Sequence, residues 1–401
     1  MLLLALVAGC SAPQTECESL KDELSRCLGT RAARLDCSTV ADADVRRLKS
    51  LTEGTSCEVI ASALPIDGNL TSTTCRLFGV GCVASNSPSP RHTPTRFPIL
   101  LVNGIDTSPL FRYSDRITQM LTGPGGQSIW LATLPPWETP QHRAPELWAL
   151  VQQVLQQTNQ PKVNLVCHSL GGLDCRYLVS PHGLQLDLGQ RGLSEKVASI
   201  TTVGTAHRGT RASDVLLGLV PDDGNQGQLI NDFATIAGDW FSPEALQTDV
   251  HLRDALRAIS TDQAAAFNAE VNDAPGVFYQ SFAGVSHPMG EANAAILQRE
   301  AELCVPDEAS DAVASSGARD DMALALVPLT EVVGKDGSAQ LPNDGLVAVP
   351  SAKWGLFRGC LAADHMEQLG QRNLPDVNVT TGIDIARFYT AVAADLASRG
   401  M

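Results

Sequence analysis

Ten residues, Val163 to Gly172, constrain this chain more than any other stretch. Val163-Asn-Leu-Val166 reads as a short buried strand and Leu173 to Val179 as a helix, with His168-Ser-Leu-Gly-Gly172 turning one into the other. A strand that breaks sharply into a helix at a serine is the layout of a nucleophile elbow. The turn forces the serine into a strained backbone conformation, so its neighbours must be small; Gly171 meets that demand, whereas Cys167 stands where the motif has glycine. The helix that opens at Leu170 aims its first amides at the place where an oxyanion would form.

Short apolar runs alternate with amphipathic segments on either side. Phe97-Pro-Ile-Leu-Leu-Val-Asn103 predicts a strand that runs into Gly104-Ile105-Asp106. A second strand is expected over 128–133, a helix over 146–158, and strands from Val197 to Val203 and from Phe278 to Gly284. Such alternation builds a doubly wound, mostly parallel sheet, and with the elbow at Ser169 it resembles the α/β-hydrolase fold. In that architecture the loop after the first of these strands gives one amide to an oxyanion hole, so Ile105 and Leu170 are the expected donors. Residues 212–260 are helical with Leu-, Phe- and Trp-bearing faces, the pattern either of core-packed helices inserted between strands or of a lid whose apolar underside covers the site. A C-terminal helix is expected over 384–397.

A serine hydroxyl needs a histidine to take its proton, and the histidine needs an acid to fix its tautomer. In this fold both follow the serine. Among His182, His207, His251, His287 and His365, only the last lies between a late strand-like stretch (Leu346–Val349) and the final helix. Asp344, in the tight turn Asn343-Asp-Gly345, is the expected acid, with Asp364, Glu302 and Asp336 as alternatives. His168 is expected to pack beneath the turn.

The ends of the chain carry different information. Met1 to Cys10 is apolar and closes on Leu-Val-Ala-Gly-Cys, resembling the end of a bacterial lipoprotein signal with Cys10 as the lipidated residue. The basic residues that open such signals are not in it, which suggests a start further upstream. Residues 11–85 hold six cysteines and three helical patterns, a small disulfide-rich domain, and 86–96 is a Pro/Ser-rich linker to a hydrolase domain over 97–401. A net charge of −15, from 44 acidic and 29 basic residues, argues against nucleic acid as a partner.

Five blocks carry a resemblance: Phe97–Ile105, Val163–Gly172, Val197–Thr210, Asn343–Val347 and Asp364–Leu369. In this order they are similar to the secreted bacterial triacylglycerol lipases of the Pseudomonas/Burkholderia type. The resemblance implies an exported serine carboxylic-ester hydrolase acting on fatty-acyl esters, with Ser169 as nucleophile, Asp344 as orienter and His365 as base. It implies no cofactor for the chemistry, a lipid-ester substrate and a structural calcium held by Asp321 (or Asp320), Glu367 and Gln371. A dedicated folding chaperone is a further open partner. It also offers Cys304 with Cys360 as the counterpart of the family's disulfide. Three departures stand out: Asn103 for a histidine, Cys167 for the elbow glycine, and Glu367 for a shorter aspartate. The same scaffold serves phospholipases, polyester depolymerases and glycolipid deacylases, and a degenerate copy could serve as a surface binding protein. With Cys10 lipidated, the expected location is the outer membrane or cell surface.

Overall fold

The computed structural model describes residues 16–28, 93–108, 111–184, 193–219, 251–308, 320–323, 326–337, 339–371, 381 and 383–401. The chain divides into two compact units, 1–88 and 89–401. In the first, helix α1 (Glu16–Leu28) buries Leu20 and Leu24 on one stripe, the i, i+4 spacing of an amphipathic helix. Cys10, the central part (220–250) of the segment expected as a lid, and the rest of the cysteine-rich segment lie outside the described residues.

The second unit is built on a six-stranded parallel sheet ordered β2-β1-β3-β4-β5-β8. Its strands are β1 (Ile99–Val102), β2 (Ile129–Ala132), β3 (Val163–His168), β4 (Val197–Val203), β5 (Phe278–Val285) and β8 (Leu356–Ala362). A two-stranded hairpin, β6 (Lys335–Asp336) with β7 (Ala339–Gln340), stands apart from it. β1, β3 and β4 are buried at every position because helices cover both faces of the sheet. Helices α2 (Asp115–Thr122), α3 (Pro140–Thr158), α4 (Leu170–Val179), α5 (Arg211–Leu219), α6 (Leu252–Ala258) and α7 (Thr261–Glu270) follow in order. Then come α8 (Ala294–Leu303), α9 (Val327–Val333), the single turn α10 (Val349–Ala352) and α11 (Ile385–Ser398).

Two apolar layers sandwich the sheet. Leu147, Val151 and Val154 of α3 and Leu178 of α4 pack with Leu100, Leu165 and Ile200 on one face. Ile117 and Leu121 of α2 pack with Phe388, Tyr389 and Val392 of α11 against Leu101, Val166 and Phe282 on the other. At roughly 1.5–3 kcal/mol for each fully buried large apolar side chain, these layers supply the main favourable term.

Two sequence expectations are corrected here. The strand before His365 is β8, Leu356–Ala362; Leu346 and Val347 instead lie in the turn region and Val349 opens α10. Helix α3 begins six residues before Glu146, with Pro140 in its first turn and Pro145 inside it. The sheet order places the functional loops: it reverses between β1 and β3, and in open parallel sheets the crevice at the carboxyl ends beside that reversal is where ligands bind. Gly104 follows β1 and Ser169 follows β3.

Candidate active site

Ser169 adopts φ 53° and ψ −130°, outside the regions open to ordinary side chains, between β3 and α4. The surroundings hold it there. Its N–H donates to Val203 O at 3.0 Å, and its C=O accepts from Thr205 Oγ1 at 2.8 Å. Gly171 is required by close approach, since a Cβ there would stand 2.5 Å from Asn103 O. Cys167 and Cys175 form a disulfide that ties β3 to α4 on either side of Ser169. Cys304 pairs with Cys360, joining the end of α8 to β8.

The histidine and its acid are in direct contact. His365 Nδ1 is 2.8 Å from Asp344 Oδ2, and both residues are almost wholly buried. The backbone repeats the contact, with His365 N–H donating to Asp344 O at 2.9 Å. Asp344 Oδ1 accepts from the Leu346 and Val347 amides, the pattern of an Asx turn, and Gln368 Nε2 donates to Oδ2 at 2.7 Å. Gln368 was not foreseen from sequence. Its room comes from Gly284, where a Cβ would collide with the Gln368 amide and stand 2.8 Å from Asp344 Cβ. Asp364, the rival acid, faces elsewhere: its carboxylate accepts from the Met366, Glu367 and Ala323 amides. The remaining rivals are not at the site. Asp336 is exposed in the hairpin, Glu302 accepts from Gln298 on α8, and His207 hydrogen-bonds Thr202 and Arg176.

His168 links the two halves. Its Nε2 lies 3.0 Å from His365 O, and the two rings are 4.6 Å apart between centroids. Burial, and then the neighbouring His365, hold its pKa well below the ordinary imidazole value. It is therefore a neutral ring donating from Nε2, packed beneath the turn as the sequence suggests, and it ties the His365 backbone to the residue before Ser169.

The loop after β1 is held from below. Arg143 of α3, fully buried, donates from Nη2 to Gly104 O at 2.7 Å and to Asn103 O at 3.2 Å, and from Nη1 to Pro135 O at 2.9 Å. Its Nε donates to Asp174 Oδ2 at 2.9 Å, an ion pair with no exposure on either side. In a trans peptide the N–H lies opposite the C=O. Fixing Gly104 O therefore turns the Ile105 N–H away from Arg143. Asn103 explains its own substitution: Oδ1 accepts from Leu134 N–H and Nδ2 donates to Asp106 O, tying the loop to the end of the neighbouring strand. Despite Arg143, burial dominates at Asp174 and raises its pKa to about 6.

Beyond His365, Asp320, Asp364 and Glu367 converge, all buried, with one oxygen from each within 4.8 Å of the others. Three hard carboxylate donors suit calcium better than zinc. Of the residues implied by resemblance, Glu367 belongs to this group. Asp321 and Gln371 do not. Residues 320–322 pair in extended form with His287, through His287 N–H to Asp320 O and Met322 N–H to His287 O. Successive side chains of such a segment face opposite ways, so Asp320 and Met322 point inward and Asp321 is exposed. Gln371 lies past the left-handed Gly370, and its amide donates to Arg112 O.

No protein-family model matches the chain. It is 27% identical over 305 residues to a triacylglycerol lipase of Pseudarthrobacter phenanthrenivorans, spanning 70% of this chain and 90% of that protein. A triacylglycerol lipase of Burkholderia plantarii is likewise 27% identical over 305 residues, spanning 70% of this chain and 80% of that one. Among solved structures, the Staphylococcus hyicus lipase superposes with a TM-score of 0.50 at 18% identity, covering 77% of this chain and 97% of that chain, a likeness of fold. These likenesses support a bacterial lipase with the α/β-hydrolase fold: the chain is an ester hydrolase of the lipase/esterase type, and serine catalysis is the general mechanism of such enzymes.

Proposed function

We propose that this enzyme cleaves fatty-acyl esters through an acyl-enzyme formed on Ser169. The observation that carries the reading is the His365–Asp344 pair at 2.8 Å, whose histidine carbonyl is hydrogen-bonded by His168, the residue before a serine held at positive φ. Ser169 Oγ attacks the acyl carbonyl while His365 Nε2 takes its proton, and Asp344 fixes the tautomer that leaves Nε2 open. The Ile105 and Leu170 amides receive the oxyanion, the first by the orientation Arg143 imposes and the second as a first-turn amide of α4. His365 then passes the proton to the departing alcohol, and water releases the acid by the reverse steps.

Calcium, where bound, would be held by Asp320, Asp364 and Glu367 and would supply charge to brace the His365 loop, with no part in the bond changes. Lipidation at Cys10 would place the enzyme at a membrane surface. A fatty-acid label present on the wild type and absent from Cys10→Ala supports that anchor; equal labelling refutes it.

The test of the reaction is Ser169→Ala. Hydrolysis of p-nitrophenyl esters should fall by more than ~10³-fold with an unchanged far-UV CD spectrum. Full activity in that variant overturns the assignment. A rate that rises with acyl length and above the substrate's solubility limit identifies a lipase, and a short-chain optimum an esterase.

A further inference from the structure

Glu138, His142 and His251 lie outside the machinery described above, and no step of the reaction uses them. Glu138 sits in the loop before α3, His142 in that helix's first turn, and His251 at the N-cap of α6. One donor atom from each lies within 4.8 Å of the others. The Glu138 carboxylate is the hub: Oε2 is 3.0 Å from His142 Nδ1 and Oε1 is 2.8 Å from His251 Nδ1. The two imidazole rings are 5.7 Å apart and tilted, with their Nδ1 atoms turned to the same carboxylate.

We propose that these three side chains form a zinc site that clamps the start of α6 to the start of α3. Two imidazole nitrogens and one carboxylate oxygen are a borderline-soft set that suits zinc and disfavours calcium or magnesium. Donors on a common tetrahedral zinc stand roughly 3.3 Å apart, given metal–ligand bonds of ~2.0–2.1 Å. Small rotations of the partly exposed imidazoles bring the three atoms to that separation. Water completes the coordination, since His142 and His251 keep 62% and 48% of their side-chain surface exposed. The backbone around the site is well anchored. Trp137, next to Glu138, is buried at 1% exposure among Ile105, Leu170 and Leu252, and its N–H donates to Ile105 O at 2.9 Å. Leu252, next to His251, packs in the same cluster. The ion would therefore lock two segments that meet over the apolar layer beneath Ile105.

The experiment is zinc binding to the full chain, read by metal content after dialysis and by thermal melting. Cobalt substitution provides a visible d–d band that reports imidazole coordination. The expected result is close to one equivalent of zinc retained and a higher melting temperature. It should survive excess calcium and be lost in Glu138→Gln and in the His142→Asn/His251→Asn double variant. Both variants alter partly exposed side chains, and their apo melting temperatures and far-UV CD spectra should match the wild type's. Failure to bind zinc or cobalt, or undiminished binding in both variants, overturns the site and leaves Glu138 as a carboxylate that accepts two imidazole hydrogen bonds. Neither outcome bears on Ser169, because the readouts are metal content, absorbance and melting.

Discussion

The two halves of the active site are braced by opposite electrostatic means. On the side of Ser169, a buried arginine meets a buried aspartate, and the remaining guanidinium hydrogens go to Asn103, Gly104 and Pro135 carbonyls. On the histidine's side, three buried carboxylates meet one another and are held by main-chain amides such as those of Ala323, Met366 and Glu367. The first arrangement carries its countercharge in the chain. The second gathers three carboxylates, and in the calcium reading proposed above a hard cation from solution supplies the countercharge. The loop that carries Ile105 should thus be set by folding alone, and the loop that carries His365 by folding and the ionic medium together.

The comparison breaks hardest at Arg143. Arg143→Met leaves Asp174 buried without its partner, and removing one member of a buried pair costs about 3–5 kcal/mol. Urea unfolding should register that loss with calcium present or absent. The same variant should lower kcat more than it raises KM, because the Ile105 amide loses its orientation for the oxyanion. A variant that melts with the wild type would show that the pair does not brace this side.

A smaller effect is expected from the other half. A chelator should lower the wild-type melting temperature, and millimolar calcium should restore it; saturating a site by 100- to 1,000-fold over its Kd is worth about 3–4 kcal/mol. Asp320→Asn should abolish that calcium dependence while retaining the fold. Wild-type melting that ignores both chelator and calcium would make the carboxylate cluster a purely internal structure.

The difference between the halves also explains what could be read from the sequence. The strained turn at Ser169 and the pairing of Asp344 with His365 were legible because each residue sits in a local context with its own chemistry: an elbow, an Asx turn, and a loop before the last helix. Of the two adjacent aspartates offered by the sequence, Asp320 joins the carboxylate group and Asp321 does not, because which of them faces inward is decided by pairing with His287, 34 residues before Asp321. β8 was missed because Arg358 and Gly359 interrupt its apolar alternation. Yet Arg358 is accommodated there, its guanidinium paired with Glu308 and Asp395. Nothing local in the sequence marks Arg143 and Asp174 as partners 31 residues apart.

A pH titration of stability separates the halves more finely. Asp174 has its pKa raised to about 6 from an ordinary value of 3.8. A raised folded-state pKa means that folding favours the protonated form. That contribution is fully present below about pH 3.8 and is lost as pH rises through about 6. Asp174→Asn removes this term, so the difference in unfolding free energy, variant minus wild type, should rise with pH across that window. A difference that stays flat from pH 3.8 to 6 would show that Asp174 does not titrate there.

The finest test asks whether the histidine's side is one brace or two. Gln368 holds Asp344 Oδ2 directly, while its neighbour Glu367 belongs to the carboxylate cluster. Gln368→Met keeps the volume and removes the donor, and a hydrogen bond to a charged group is worth about 1.5–3 kcal/mol. Part of that should appear as a kcat reduced about tenfold, which is ~1.4 kcal/mol of barrier, with KM little changed. Pairing Gln368→Met with Asp320→Asn then measures the coupling. Independent braces give losses that add within about 0.5 kcal/mol. A double variant no worse than the poorer single one would mean that the cluster acts on Asp344 only through the turn carrying Gln368, so that the ion and the amide fix the same atom.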